Sequence, residues 1–141
     1  MKKGVLFLCT RNSCRSQMAE GFARKILPKN IEIFSAGLEP KGIHPITIKV
    51  MQEVGIDISK QKSKNISEIP LDKIGIVITL CGEAAENCPI FSGKAKRVHW
   101  ALKDPARAQG DENEIIKVFR RVRDKIKSYI ENEKRLDPLK K

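Results

Sequence analysis

The chain lacks any apolar run near the roughly 20 residues needed to cross a membrane, and it is short of aromatic residues and of acidic charge. Its N-terminus, Met1-Lys2-Lys3 followed by Gly4 to Cys9, starts like a secretory signal. Arg11 and Arg15 cut that run short of the roughly 7–15 apolar residues such a signal carries. Secretion and membrane insertion are not expected; a cytoplasmic protein is. One Trp, one Tyr and five Phe are the only aromatic residues. None is interleaved with basic residues along a strand, as a base-stacking platform requires, so nucleic acid is not an expected partner. Nine Gly and seven Pro are too few for a low-complexity chain.

What is present describes one globular domain over residues 1–141. A chain of this length buries roughly two-thirds of its unfolded surface and needs no disulfide or metal to hold a core. The 28 basic and 17 acidic side chains leave a net charge of +11. Residues 1–93 hold 13 basic and 9 acidic groups, and residues 94–141 hold 15 and 8. A field of this sign draws in anionic substrates or acidic proteins. It is equally the mark of a lysine-rich soluble surface, and a non-catalytic basic binding module stays open as an alternative.

Short β-rich runs alternate with longer amphipathic ones. Val5 to Leu8 reads as a buried strand ending at Cys9, and Ser16 to Leu27 as a helix with Met18, Phe22, Ile26 and Leu27 at helical spacing. Ile31 to Ser35 alternates as a second strand, and Pro45 to Val54 reads as a helix stopped by Gly55. Ile66 to Ile74 is irregular or briefly helical around Pro70. Gly75 to Leu80 is a third strand, ending at Cys81, and Arg97 to Trp100 a fourth. Ile115 to Ile130 carries the apolar spacing of a long helix with a basic outer face. The pattern predicts an α/β fold: a four-stranded parallel sheet covered by helices on both faces. Ligands bind such sheets at the carboxyl ends of the strands, where Cys9, Cys81 and Asp104 all fall.

Four cysteines in a chain without a secretory signal are more readily chemical than structural. They form two pairs, Cys9 with Cys14 and Cys81 with Cys88. The gaps of four and six residues exceed or strain the usual two to four between zinc ligands, so no metal is expected. Cys9-Thr10-Arg11-Asn12-Ser13-Cys14-Arg15-Ser16 is the segment with the clearest chemistry. A loop between a strand and a helix can wrap its N–H groups around a tetrahedral anion. Arg15 adds a two-pronged grip, Asn12 suits a left-handed turn, and Ser16 can donate to the Cys9 sulfur. The result is a nucleophilic thiolate beneath an anion cradle.

Cys9 to Glu20, CTRNSCRSQMAE, resembles the phosphate loop of the low-molecular-weight tyrosine phosphatase superfamily, and Asp104-Pro105 resembles its general-acid loop. Thr79 to Pro89, TLCGEAAENCP, with His99-Trp100 resembles the thioredoxin-coupled arsenate reductase branch. The resemblance runs from residue 4 into the terminal helix. It implies that Cys9 attacks arsenate held by Thr10 to Ser16 and Arg15, with Asp104 protonating the departing hydroxyl. It further implies that Cys81 and then Cys88 relay the disulfide to thioredoxin, or to another dithiol protein such as glutaredoxin. No cofactor is implied, phosphate or sulfate would compete for the cradle, and a monomer is expected. A small phosphatase hydrolysing a Cys9 phosphoenzyme is the alternative. Ala106-Arg107 after Asp104-Pro105 offers no tyrosine to frame an aromatic ester.

Spacing adds that a helix from Cys81 to Cys88 would span ~10.5 Å, too far for the ~4.4–6.8 Å between Cα atoms of a disulfide. That predicts a segment helical when reduced and looped when oxidised. Cys14 reads as a small side chain packed behind the loop, His44 as isolated, and His99 as packed beside Trp100. Arg11 brings extra charge to the mouth. Some relatives bind potassium through side chains matching Asn12, Glu20 and Ser35 plus a downstream acid; Lys64 stands at that last position, and no potassium site is expected.

Overall fold

The computed structural model describes residues 3–81 and 95–132. Cys88, and with it the predicted redox-switched segment, lies outside the described residues. Strands β1 (Gly4–Cys9), β2 (Glu32–Gly37), β3 (Ile74–Thr79) and β4 (Lys96–His99) form one sheet in the order β2-β1-β3-β4. All three pairings are parallel. Every residue of β1 is buried, which is why the central strand reads as an unbroken apolar run rather than an alternating one.

The pleat sends alternate residues to two cores. Val5, Phe7, Ile76 and Ile78 face a core shared by helices α1 (Arg15–Ile26), α2 (Pro45–Gln52) and α3 (Glu112–Asn132). Leu6, Leu8, Ala36, Ile74 and Val77 face a smaller core closed by Ile69. Ile66 and Leu71, from two short 3-10 turns on either side of Pro70, pack against it. Both sheet faces are thus covered, though among the described residues the three α-helices share one of them.

The helix ends follow local chemistry. The α1 start falls one residue ahead of the sequence expectation because the Met18 N–H already donates to the Cys14 carbonyl. The α2 helix opens on His44, whose Nδ1 accepts from the Ile46 N–H at 3.1 Å while its ring lies 5.0 Å from that of Phe119. His44 is therefore a helix cap. The Arg123 guanidinium closes the other end of α2, donating to the Val50 carbonyl and to Glu53. The hydrogen bond from Arg120 holds the Glu53 carboxyl below its ordinary range, with Arg123 adding to the effect. The α3 helix buries Ile116, Phe119, Val122, Ile126 and Ile130 at helical spacing, together with Arg123, and turns Lys117, Arg121, Lys125 and Lys127 outward. Phe119 is fully buried between α3 and the α2 cap. Phe119→Ala is expected to destabilise the fold by about 3–5 kcal/mol, read as a lower urea midpoint with an unchanged slope.

Candidate active site

The β1–α1 turn places its peptide groups in one direction. Amide N–H groups of residues 38–44 take the loop carbonyls: Leu38 bonds Cys9, Glu39 bonds Thr10, Lys41 bonds Arg11 and His44 bonds Ser13. Because peptides are trans, pulling those carbonyls outward turns the N–H groups that follow them toward the loop centre. Gly37 makes this possible. A Cβ there would stand 2.8 Å from both the Asn12 nitrogen and the Thr10 oxygen, so any larger residue would push the loop away.

Asn12 locks the turn. Its φ of 50° is the left-handed conformation expected from its position, and its side chain is fully buried. Nδ2 donates to Ser16 Oγ at 2.7 Å and Ser35 Oγ at 3.1 Å, while Oδ1 accepts from the Lys64 N–H at 2.8 Å. Gln17, which the sequence did not single out, donates to the Asn12 and Lys62 carbonyls. Since Ser16 Oγ accepts from Asn12, its own hydrogen is free for Cys9 Sγ, 2.8 Å away. The Asn12 N–H adds a second donor to that sulfur at 3.3 Å. Two donors and the start of α1 thus converge on the Cys9 sulfur, which is 2% exposed at the floor of the loop.

Arg15, the first residue of α1, lies over the loop with its side chain 8% exposed. Nη1 donates to the Leu80 carbonyl at 3.3 Å and the Leu102 carbonyl at 3.1 Å, fixing the plane of the guanidinium. Nε is buried without a partner, and Nη2 stands 3.8 Å from Asp104 Oδ2. An unpaired buried N–H costs ~1–3 kcal/mol, and a tetrahedral anion in the loop would satisfy it. Asp104 follows β4 and caps the short turn Pro105–Arg107, accepting from the Ala106 N–H at 3.0 Å.

Cys81 lies two residues past the end of β3, half-buried, with its Sγ 3.1 Å from Thr10 Oγ1. Thr10 thus joins the Cys9 loop to a second thiol. The cleft above them is about 810 Å³, and its lining includes Thr10, Arg11, Arg15, Glu39, Cys81, Lys103, Asp104 and Arg107. A smaller hollow of about 420 Å³ beside Tyr129 has no cysteine among its described lining residues.

Cys14 is packed behind the loop, 2% exposed. Burial pushes its thiol above the ordinary range, against partial relief from Thr47 and Ser13, so it stays protonated and unreactive near neutral pH. His99 is not packed beside Trp100 as expected. Its Nδ1 lies 2.8 Å from Thr79 Oγ1, whereas Trp100 stacks on Tyr129 at 4.8 Å and meets Phe7 at 6.0 Å. Neighbouring residues along extended backbone point to opposite sides.

Asn12, Ser35 and Glu20 do come together, Ser35 Oγ donating to Glu20 Oε1 at 2.5 Å. Glu20 is already flanked by Arg24 Nε at 2.9 Å and Lys64 Nζ at 3.8 Å. The Lys64 ammonium brings positive charge to this cluster without any bound cation. Exchanging potassium for sodium at constant ionic strength is expected to leave oxyanion binding and unfolding temperature unchanged; a potassium-dependent rise in either would contradict it.

Residues 4–137 match the family described as low molecular weight phosphotyrosine protein phosphatase. The chain belongs to that family. Within this phosphatase family its near relatives are arsenate reductases. It is 51% identical over 125 residues to one from Halalkalibacterium halodurans, covering 89% of this chain and 90% of the relative. It is 52% identical over 124 residues to one from Bacillus subtilis, covering 88% and 89%. A solved arsenate reductase in its oxidized state aligns with a TM-score of 0.80 at 41% identity, covering 92% of this chain and 95% of that one. The thioredoxin-dependent arsenate reductase of Corynebacterium glutamicum aligns at 0.62 with 31% identity, over 91% of this chain and 61% of that chain.

Proposed function

We propose that this protein reduces arsenate to arsenite, using Cys9 as nucleophile and Cys81 and Cys88 as a disulfide relay. The observation that carries the reading is a second thiol, Cys81, held at the mouth of the Cys9 loop through Thr10. A phosphatase hydrolysing its phosphoenzyme needs no such group.

Arsenate enters the loop on the inward amides and the free edge of Arg15. The Cys9 thiolate attacks arsenic, and an As–O bond breaks with the oxygen leaving as water after Asp104 supplies a proton. Cys81, deprotonated, then attacks the Cys9 sulfur. The S–As bond breaks with its electron pair remaining on arsenic, which is thereby reduced from As(V) to As(III). Arsenite leaves and a Cys9–Cys81 disulfide remains. Cys88 attacks Cys81, returns Cys9 as thiolate and forms Cys81–Cys88, which an external dithiol reduces. Thioredoxin fits this last step, as the name of the C. glutamicum relative suggests. A relay that starts from reduced thiols suits a cytoplasmic setting, where such groups stay reduced.

Intact-mass analysis and peptide mapping before and after arsenate, without reductant, test the reading. Loss of two thiols per chain, a linked Cys81–Cys88 peptide and one arsenite per chain are expected. Intact thiols alongside hydrolysis of p-nitrophenyl phosphate would make the protein a phosphatase.

A further inference from the structure

Asp104 faces two guanidinium groups at once. Its Oδ2 lies 3.8 Å from Arg15 Nη2 and 3.8 Å from Arg107 Nε, too far for a hydrogen bond to either. Its Oδ1 is fixed separately by the Ala106 N–H. Arg107 belongs to the turn that Asp104 caps, and its own N–H donates to the Asp104 carbonyl at 3.2 Å. The two arginines differ in setting: the Arg15 side chain is 8% exposed and that of Arg107 80%.

We infer that Arg107 is a positioning residue that holds the Asp104 carboxylate off Arg15 and so keeps the Arg15 guanidinium open to the oxyanion. The inference rests on the reading of Arg15 as the oxyanion grip. With Nη1 committed to the Leu80 and Leu102 carbonyls, Arg15 offers an incoming anion only the edge formed by Nε and Nη2. A carboxylate fits that edge as well as arsenate does, by the same two-pronged geometry. A charge-assisted N–H···O contact left to itself closes to about 2.7–2.9 Å. The Arg15–Asp104 contact stands wider than that, and Arg107 Nε meets the same oxygen at the same distance, a second attraction that competes with Arg15 for it.

The remaining charged and titratable groups lining the cleft, among the described residues, are Arg11, Glu39, Lys103 and Cys81. Among the described residues only Arg15 and Arg107 form ion pairs with Asp104. Without Arg107, Asp104 becomes an internal competitor for the oxyanion site. Apparent affinity then falls in proportion to the fraction of molecules whose grip is occupied.

Calorimetric binding of inorganic phosphate to the reduced full-length protein tests this. Arg107→Ala is expected to weaken phosphate by roughly threefold to tenfold, and Arg107→Lys to restore most of the loss. Asp104→Asn retains an acceptor for the Ala106 N–H but removes the competing charge, so it should tighten phosphate. In that background Arg107→Ala should change affinity by less than about 1.5-fold, the scatter expected of uncoupled sites. Asp104→Ser, with a second capping side chain, repeats the cycle if the Asn variant fails to fold.

An arginine that merely attracts anions would weaken phosphate equally in both backgrounds, with the loss vanishing at high salt. That result would overturn the inference and leave the oxyanion grip intact. Arg15→Lys separates the two ideas. Unchanged phosphate binding in that variant would refute the grip itself.

Discussion

Cys9→Ser is expected to leave arsenate unreduced and every remaining thiol free, with the single-turnover rate lowered by at least roughly 10³-fold, because an unactivated hydroxyl is a poor nucleophile. The loop does not depend on the sulfur for its shape. Its carbonyls are held by residues 38–44 and its centre by Asn12, Gln17 and Ser35. The variant should therefore still bind phosphate, which distinguishes a lost nucleophile from a collapsed site. The measurement is thiol titration and arsenite release from reduced protein mixed with one equivalent of arsenate. Cys14→Ser is the matched control, since that buried thiol is held protonated behind the loop. Arsenite formation by the Cys9 variant, or its loss in the Cys14 variant, would move the chemistry to another sulfur.

Much of this arrangement is legible in the sequence because it is local. β1 and β3 are near-continuous apolar runs, the signature of strands buried on both faces, and each delivers a cysteine at its carboxyl end. The left-handed turn at Asn12 and the Ser16 contact with Cys9 likewise follow from residues within one short segment. Strand order is not local. The placement of β1 between β2 and β3 comes from pairings across 28 and 71 or so residues, such as Gly4 with Glu32 and Val5 with Ile76. Periodicity along one segment carries no information about such partners.

The supports of the site were hidden for the same reason. Gly37 and the amides of residues 38–44 orient the anion loop, yet they reveal their role only once β2 lies beside β1. His44 looks isolated in sequence, but it caps the helix that follows it and packs on Phe119. Arg107 is three residues from the expected acid, and its spacing alone does not say which way its side chain turns. Helix ends shifted by a residue or two where a contact took over. The α2 helix stops at Gln52, after which Gly55 adopts a φ of 79° and its N–H closes back on the Gln52 carbonyl.

Cys88→Ser is expected to allow one turnover and then stall. The reason lies in access. Cys9 is 2% exposed beneath its loop, so a protein dithiol cannot approach it in line with a Cys9–Cys81 bond. Cys81 is half-buried and borders the cleft over the Cys9 loop. In the proposed relay a third thiol, Cys88, would solve the access problem by attacking Cys81 from within the chain, freeing Cys9 and leaving a disulfide made of the two later cysteines. Without Cys88 the chain should release one arsenite, lose two thiols and yield a linked Cys9–Cys81 peptide on mapping. Multiple turnover with excess thioredoxin and its reductase should fall by at least about 10²-fold, since exchange depends on reaching the attacked sulfur. Added small dithiol should recover part of it, being able to enter where a protein cannot. Sustained turnover of the serine variant with thioredoxin alone would mean that the reductant takes its disulfide directly from Cys81, and the three-cysteine relay would reduce to two.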